Sequence, residues 1–114
     1  MELFSHDHGI VLTCVSVDLQ INPVTGDLSK AEVVDFWKAR IRQGQVVGLM
    51  AGPPCGTWSV ARFNRRRPGP RPVRSVEHLW GLPDLESWER KAVDLGNLLL
   101  RVSFEFISAL LVCK

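Results

Sequence analysis

The sequence predicts a three-layer α/β fold with few parallel strands and two main helices. Two short apolar runs, 11–19 and 46–51, have the length and continuity of buried strands. The segment between them has a helical pattern, so that strand, helix and strand would form a βαβ unit with a right-handed crossover. Together with a second, C-terminal helix, this unit accounts for the 114 residues as a single domain, 1–114.

The helix predicted over 29–43 has the clearest local signals. Ser29 and Glu32 have the spacing of a capping box at its start. Gly44 suits the left-handed position that follows a helix end. The apolar residues of the segment recur at helical spacing and define one face, formed by Val33, Val34, Trp37 and Ile41. The segment is therefore predicted to be amphipathic.

A longer helix is predicted over about 85–112, because apolar residues recur there every three or four positions. Asp84 is its expected N-cap, and Trp88 lies on the apolar row that is expected to face the core. The chain has no stretch of ~20 uncharged apolar residues, and Arg101 and Glu105 interrupt the most apolar part of this segment. We therefore expect a core helix and no membrane span.

Positive charge is concentrated in one proline-rich loop, residues 61–76, which we call the arginine-rich loop. Its net charge is +6, whereas 1–60 and 77–114 each carry −2. Three prolines and a glycine exclude regular structure there. The loop is either a solvated surface or a clamp for nucleic-acid phosphates, and a nuclear-localisation signal is a third option. The candidate phosphate ligands are Arg62, Arg65, Arg66, Arg67, Arg71 and Arg74, with Ser59 beside them and Trp58 available to stack on a base.

The remaining composition indicates an intracellular protein. The three cysteines, Cys14, Cys55 and Cys113, are odd in number and far apart, which favours a reduced compartment over a disulfide framework. The N-terminal residues lack a basic segment followed by a long apolar run, so we expect no secretory signal. His6 and His8, considered with Cys14, lack the paired spacing of a metal site, and we expect no metal.

The segment 52–59, Gly-Pro-Pro-Cys-Gly-Thr-Trp-Ser, follows the second predicted strand. Open α/β sheets bind ligands at that position, beyond the carboxyl ends of their strands. Pro53 and Pro54 fix two φ angles and thereby direct the side chain of Cys55. Nearby arginines would favour its thiolate, the nucleophilic form. The residues alone leave two interpretations open, a nucleophilic Cys55 and an inert loop cysteine.

This segment resembles the catalytic motif of the cytosine-C5 DNA methyltransferases, which typically reads G-P-P-C-Q-x-F-S. The resemblance implies a Rossmann-like fold that binds S-adenosylmethionine (AdoMet). It also implies that the Cys55 thiolate attacks C6 of a flipped-out cytosine before C5 accepts the methyl group. Four residues match the family's cofactor site in chain order, namely Phe4, Asp18, Asp27 and Pro53. Asp18 and Asp27 fit equally well as turn and helix-start residues.

The chain departs from the family pattern at several points. The glycine-rich turn after Ser5 is abridged, and the family's E-N-V glutamate, R-x-R pair and target-recognition domain have no counterpart. We therefore expect a partial domain that is inactive in isolation and exposes a sheet edge for self-association. The alternative is a non-catalytic, nucleic-acid-binding remnant of a mobile-element protein.

A second resemblance covers 46–100. It relates the chain to an uncharacterised group of algal proteins through G-P-P-C-x-T-W-S-x-A-R, G-P-R-P-x-R-S, L-W-G-L-P and G-N-x-L-L.

Overall fold

A computed structural model describes residues 2–5, 11–63 and 69–112. The chain divides into two compact units, Met1–Asp35 and Phe36–Lys114. Within the described ranges, the regular structure consists of two α-helices, two short 3-10 turns and two antiparallel strands. The prediction of a Rossmann-like α/β fold with parallel strands is therefore wrong. The open edge of that sheet, on which the expected self-association depended, is likewise not found in these ranges.

The strands form a short hairpin. Strand β1, Glu2–Ser5, pairs antiparallel with β2, Val11–Cys14, so that Glu2 lies opposite Cys14 and Ser5 opposite Val11. The predicted strand over 11–19 thus ends after four residues and pairs with its neighbour in sequence.

A tight turn follows the hairpin. The carbonyl oxygen of Asp18 accepts hydrogen bonds from the backbone N–H groups of Ile21 and Asn22, at 3.1 and 3.0 Å. The chain then passes so close to Asp18 that a Cβ on Gly26 would lie 2.2 Å from this oxygen. Only glycine fits there, because a side-chain carbon at that distance would overlap the carbonyl group.

Helix α1, Ala31–Arg42, confirms the helix predicted over 29–43. Its start differs from the predicted capping box, because the Ser29 hydroxyl donates to the Asp27 carboxylate instead of capping the helix. Its end follows the prediction. Gly44 adopts a φ of 75°, and its N–H bonds to the Ile41 carbonyl, as in a Schellman motif. Val33, Val34 and Ile41 are buried, as their spacing predicted.

The second predicted strand, 46–51, does not form. The structure describes all of 45–55, and this segment contains neither helix nor strand. Met50, the fifth of the six residues of the predicted buried strand, is 98% exposed. A strand depends on ladder hydrogen bonds to a neighbour, and the described chain supplies no strand beside this segment.

Helix α2, Ser87–Val112, occupies most of the segment predicted at about 85–112. Its first intrahelical hydrogen bond joins the Arg90 N–H to the Glu86 carbonyl, at 2.8 Å, so Glu86 and not Asp84 is the N-cap. The buried row in its first half is also displaced by one position from the predicted apolar row. Glu89 is buried there, whereas Trp88 is 62% exposed. The prediction that Trp88 faces the core is wrong.

Helix α2 is long and apolar enough, by length and composition, to cross a membrane. Its most apolar stretch has a mean hydropathy of 1.6 and is 22% buried within the described structure. Lys38 on α1 forms an ion pair with Glu105 on α2, at 3.5 Å, within that stretch. The expectation that the chain does not enter a membrane stays a prediction.

Candidate functional site

In the structure, the side chain of Arg74 connects the arginine-rich loop to other parts of the chain. Its side chain is buried, and the residue is only 6% exposed. Nη1 donates to the carbonyl oxygen of Leu79 and to Oδ1 of Asn97, both at 2.7 Å. Nη2 donates to Oγ1 of Thr57 at 2.9 Å and to the carbonyl oxygen of Val93 at 3.4 Å. Arg74 thereby joins the segment after Cys55, its own loop and helix α2.

Trp58 covers one face of the Arg74 guanidinium. The guanidinium carbon lies 3.5 Å from the centroid of the Trp58 ring, which is a close cation–π contact. Trp80 meets Trp58 edge to face, with centroids 5.8 Å apart. Asn97 holds the backbone of Trp80, because its Nδ2 donates to the Trp80 carbonyl at 3.0 Å. Trp58, proposed above as a platform for a base, is thus already stacked within the protein.

Gly96 makes room for this cluster on helix α2. A Cβ at this position would lie 3.0 Å from Oγ1 of Thr57 and 3.2 Å from Nη2 of Arg74. Because these two atoms also bond to each other at 2.9 Å, neither can move away without weakening that bond. The glycine therefore lets the segment 56–58 approach the helix closely.

We expect Gly96→Ala to destabilise the protein by about 1 kcal/mol, although alanine is the better helix former. Urea denaturation followed by tryptophan fluorescence measures this change. The matched experiment repeats the substitution in a Thr57→Ala background, where Oγ1 is absent and the penalty should fall. A stabilised Gly96→Ala protein would show that the helix and the segment 56–58 are not in close contact.

Arg71 forms a bidentate ion pair with Glu89. Its Nε and Nη2 lie 2.9 Å from the two carboxylate oxygens of Glu89, and Nη2 also donates to the Asp84 carbonyl. Glu89 in turn accepts from the N–H of Glu86, at 3.0 Å, which caps the start of helix α2. The hydrogen bond from Arg71, followed by that from the Glu86 N–H, lowers the pKa of the Glu89 carboxyl.

Arg62 closes the base of the arginine-rich loop. Its Nε donates to the Gly56 carbonyl at 2.7 Å, and its Nη1 donates to the Arg71 carbonyl at 3.0 Å. The second bond brings Arg62 next to Arg71, nine residues further along the chain. Arg65, Arg66 and Arg67 belong to this segment and lie outside the described residues.

Cys55 is exposed, and it immediately precedes the 3-10 turn Gly56–Trp58. Its thiol thus faces solvent, as expected from the diproline, but the parallel sheet that was to support it is not found in the described chain. The nucleophilic role of Cys55 stays a prediction.

The four residues matched to an AdoMet site have other surroundings, where the structure describes them. Asp18 Oδ1 accepts from the Gln20 N–H at 2.7 Å, as in an Asx turn. Asp27 accepts from Ser29, and the hydrogen bond from the Ser29 hydroxyl is the main cause that lowers the pKa of Asp27. Pro53 is half-buried in the segment 45–55, and the side chain of Phe4 lies outside the described residues.

The sequence patterns did not identify the residues that accept hydrogen bonds from the arginines, chiefly Glu89 and Asn97. Both lie on helix α2, 18 and 23 residues from the arginines they bind. The one available signal was the acid at the third helical position, which is the capping-box position relative to Glu86. Among the described residues, no group of three or more His, Cys, Asp or Glu side chains could hold a metal ion.

Comparison with protein-family models, with curated proteins and with solved structures finds no match to this chain.

Proposed function

We propose that this chain is a non-catalytic nucleic-acid-binding module whose arginine-rich loop grips the phosphate backbone. The observation that carries the proposal is the closed base of the loop, where Arg62 donates to the Arg71 carbonyl at 3.0 Å. A closed base holds three consecutive arginines, residues 65–67, within eight residues that contain no acid. Such a loop meets the requirements for sequence-independent binding to phosphates.

The distribution of charge between the two units supports the same function. The unit Phe36–Lys114 contains 13 basic and six acidic side chains, a net charge of +7. The unit Met1–Asp35 contains one basic and six acidic side chains, a net charge of −5. Glu89, the acid nearest to the loop in the described contacts, is already neutralised by Arg71. The field around the loop therefore attracts polyanions.

The structure also limits the number of phosphate contacts. Arg71 and Arg74 direct most of their N–H donors to carbonyl oxygens and side chains of the protein, and Arg62 directs Nε and Nη1 to carbonyl oxygens. Binding phosphates with these same N–H donors would require breaking their hydrogen bonds to the protein. The three arginines at 65–67 lie outside the described residues, and we assign backbone binding to them because they are consecutive and no acid lies within 63–70.

We expect a logarithmic salt slope of about −2.7 for duplex DNA if three phosphates are neutralised, against about −5.4 if all six arginines contribute. Fluorescence anisotropy with a labelled duplex, measured across a range of salt concentrations, separates the two values.

In the triple variant Arg65→Ala, Arg66→Ala, Arg67→Ala, binding should fall by at least about tenfold at 0.1 M salt and lose most of its salt dependence. The loss should be similar for unrelated DNA sequences.

The matched control removes three exposed cations elsewhere in the same unit, with Arg42→Ala, Lys91→Ala and Arg101→Ala. It changes net charge equally and should weaken binding only slightly. If both triple variants lose binding to the same extent, net charge and not the loop is responsible, and the proposal fails.

Two further experiments on the same protein distinguish our proposal from the methyl-transfer alternative. Our proposal expects no heat on titration with AdoMet and no effect of Cys55→Ser on DNA binding. Heat of AdoMet binding, together with covalent capture of a 5-fluorocytosine duplex that Cys55→Ser abolishes, would support the enzyme instead.

A further inference from the structure

A cavity of about 200 Å³ lies between the two 3-10 turns, Gly56–Trp58 and Val60–Phe63, and the second half of the arginine-rich loop. Two of the residues that line it are positively charged, Arg62 and Arg74, and none is acidic. The other walls are mainly apolar or aromatic, and include Trp58, Val73 and Leu79. A cavity with two cations and no anion differs from an ordinary gap in a protein core, where a buried charge is paired.

Arg74 lacks the anionic partner that its burial calls for. Its Nη1 and Nη2 have protein acceptors, but its Nε is buried without any hydrogen-bond partner. Among the described residues, no carboxylate lies within 4.0 Å of Arg74. Asp84 and Glu89 pair with Arg71 instead. Burial lowers the pKa of Arg74, and the positive charge of Arg62 lowers it further.

Arg62 adds further donors on the same cavity. Its described bonds use Nε and one hydrogen of Nη1. Within the part of the chain that the structure describes, Nη2 has no acceptor. The cavity is thus bordered by two guanidinium groups, of which Arg62 keeps an unused Nη2 and Arg74 a buried Nε without an acceptor.

We propose that this cavity is a binding site for a phosphomonoester, the phosphate class that carries close to two negative charges at neutral pH. A dianion balances the charges of Arg62 and Arg74, whereas the monoanion of a backbone phosphodiester balances only one. Guanidinium groups are well suited to phosphate oxygens because their donors lie in a planar fork. Backbone phosphates remain with residues 65–67, and this cavity takes a terminal phosphate.

The same chemical group has two sources, the end of a nucleic-acid strand and a small phosphorylated compound. The strand-end source rests on the proposed function, whereas the small-molecule source does not. An oligonucleotide with a 5′-phosphate, the same strand with a 5′-hydroxyl, and free inorganic phosphate therefore form the three arms of the test.

The first measurement titrates the full chain with inorganic phosphate at pH 7.5, at constant ionic strength, and follows the tryptophan indole N–H signals by NMR. We expect the Trp58 signal to shift with saturation, and phosphate to bind about tenfold more tightly than dimethyl phosphate, a monoanion. Arg62→Gln should abolish saturation, and Arg62→Lys, which keeps the charge, should restore it to within a few-fold. Absence of saturation with the folded wild-type chain would overturn the proposal, as would unchanged binding by Arg62→Gln.

The second measurement compares the two oligonucleotides by anisotropy. A strand-end site predicts about tenfold tighter binding of the 5′-phosphorylated strand, lost in Arg62→Gln and retained in the triple variant at 65–67. If no strand binds but inorganic phosphate still does, the proposed function fails and the cavity assignment stands. If the triple variant abolishes inorganic phosphate binding and Arg62→Gln does not, the site lies in the loop and the cavity assignment is overturned.

Discussion

Replacing Arg74 with alanine is expected to destabilise the protein by about 4 kcal/mol. The substitution removes hydrogen bonds made by a charged group, each worth about 1.5–3 kcal/mol, together with a desolvated cation–π contact worth about 2 kcal/mol. It also leaves Asn97 and the carbonyl oxygens of Leu79 and Val93 without their donor. Burial of an uncompensated charge offsets part of this loss in the native protein. A small domain with a total stability of about 5–15 kcal/mol would be close to unfolding.

Urea denaturation monitored by tryptophan fluorescence measures the loss, because Trp58 stacks on the affected side chain and Trp80 packs against Trp58. Arg74→Lys is the informative conservative variant. It retains the charge, but a single ammonium cannot reach the acceptors that the guanidinium fork joins, and we expect about half of the loss. Arg42→Ala removes an exposed arginine and should change stability by less than about 0.5 kcal/mol. Equal stabilities for Arg74→Ala and Arg42→Ala would contradict the central position of Arg74.

Helix α1 shows which features of the fold local sequence predicts. Its apolar spacing, its length and its terminal glycine all depend on residues within a few positions of each other. The structure confirms the burial of Val33, Val34 and Ile41 and the left-handed Gly44. Only the start was misplaced, because Asp27 accepts the Ser29 hydroxyl that was expected to cap the helix.

The strands could not be predicted in the same way, because a strand is stable only through its partner. Apolar runs at 11–19 and 46–51 look alike in sequence. The first finds a neighbour in β1 over four residues, and the second has none in the described chain. Their shared composition therefore predicted a parallel sheet that the structure lacks.

The side-chain contacts of the candidate site could not be predicted from local sequence either. A cluster of arginines in sequence predicted a solvent-facing clamp, yet Arg71 and Arg74 find their acceptors on helix α2. Those acceptors also explain the displaced buried row of α2, since Glu89 is buried because Arg71 neutralises it. Four short motifs noted in the sequence, which are scattered over 46–100, meet at this cluster through Thr57, Arg74, Trp80 and Asn97.

The ion pair between Arg71 and Glu89 is expected to respond asymmetrically to loss of its two partners. Glu89 has 2% of its side chain exposed, whereas Arg71 has 42%. Arg71→Leu therefore leaves a carboxylate buried with only the Glu86 N–H as donor, and we expect a large loss of stability at pH 7. Glu89→Leu leaves a cation that water can still reach, so its effect should be several-fold smaller. The double variant should be more stable than Arg71→Leu alone, because it buries no charge.

The pH dependence of these variants tests the cause of the asymmetry. In the folded protein the pKa of Glu89 lies below its ordinary value of about 4.5, chiefly because Arg71 donates to it. A depressed folded pKa contributes stability that is present above the unfolded pKa and is lost as pH falls through the folded value. The wild-type protein should therefore lose this contribution on acidification below about pH 4.5. Arg71→Leu should show the opposite tendency, because protonation removes its uncompensated charge, so the stability gap between the two proteins narrows as pH falls. Melting temperatures measured from pH 7 to pH 3 distinguish this from a simple packing loss, which would leave the gap constant.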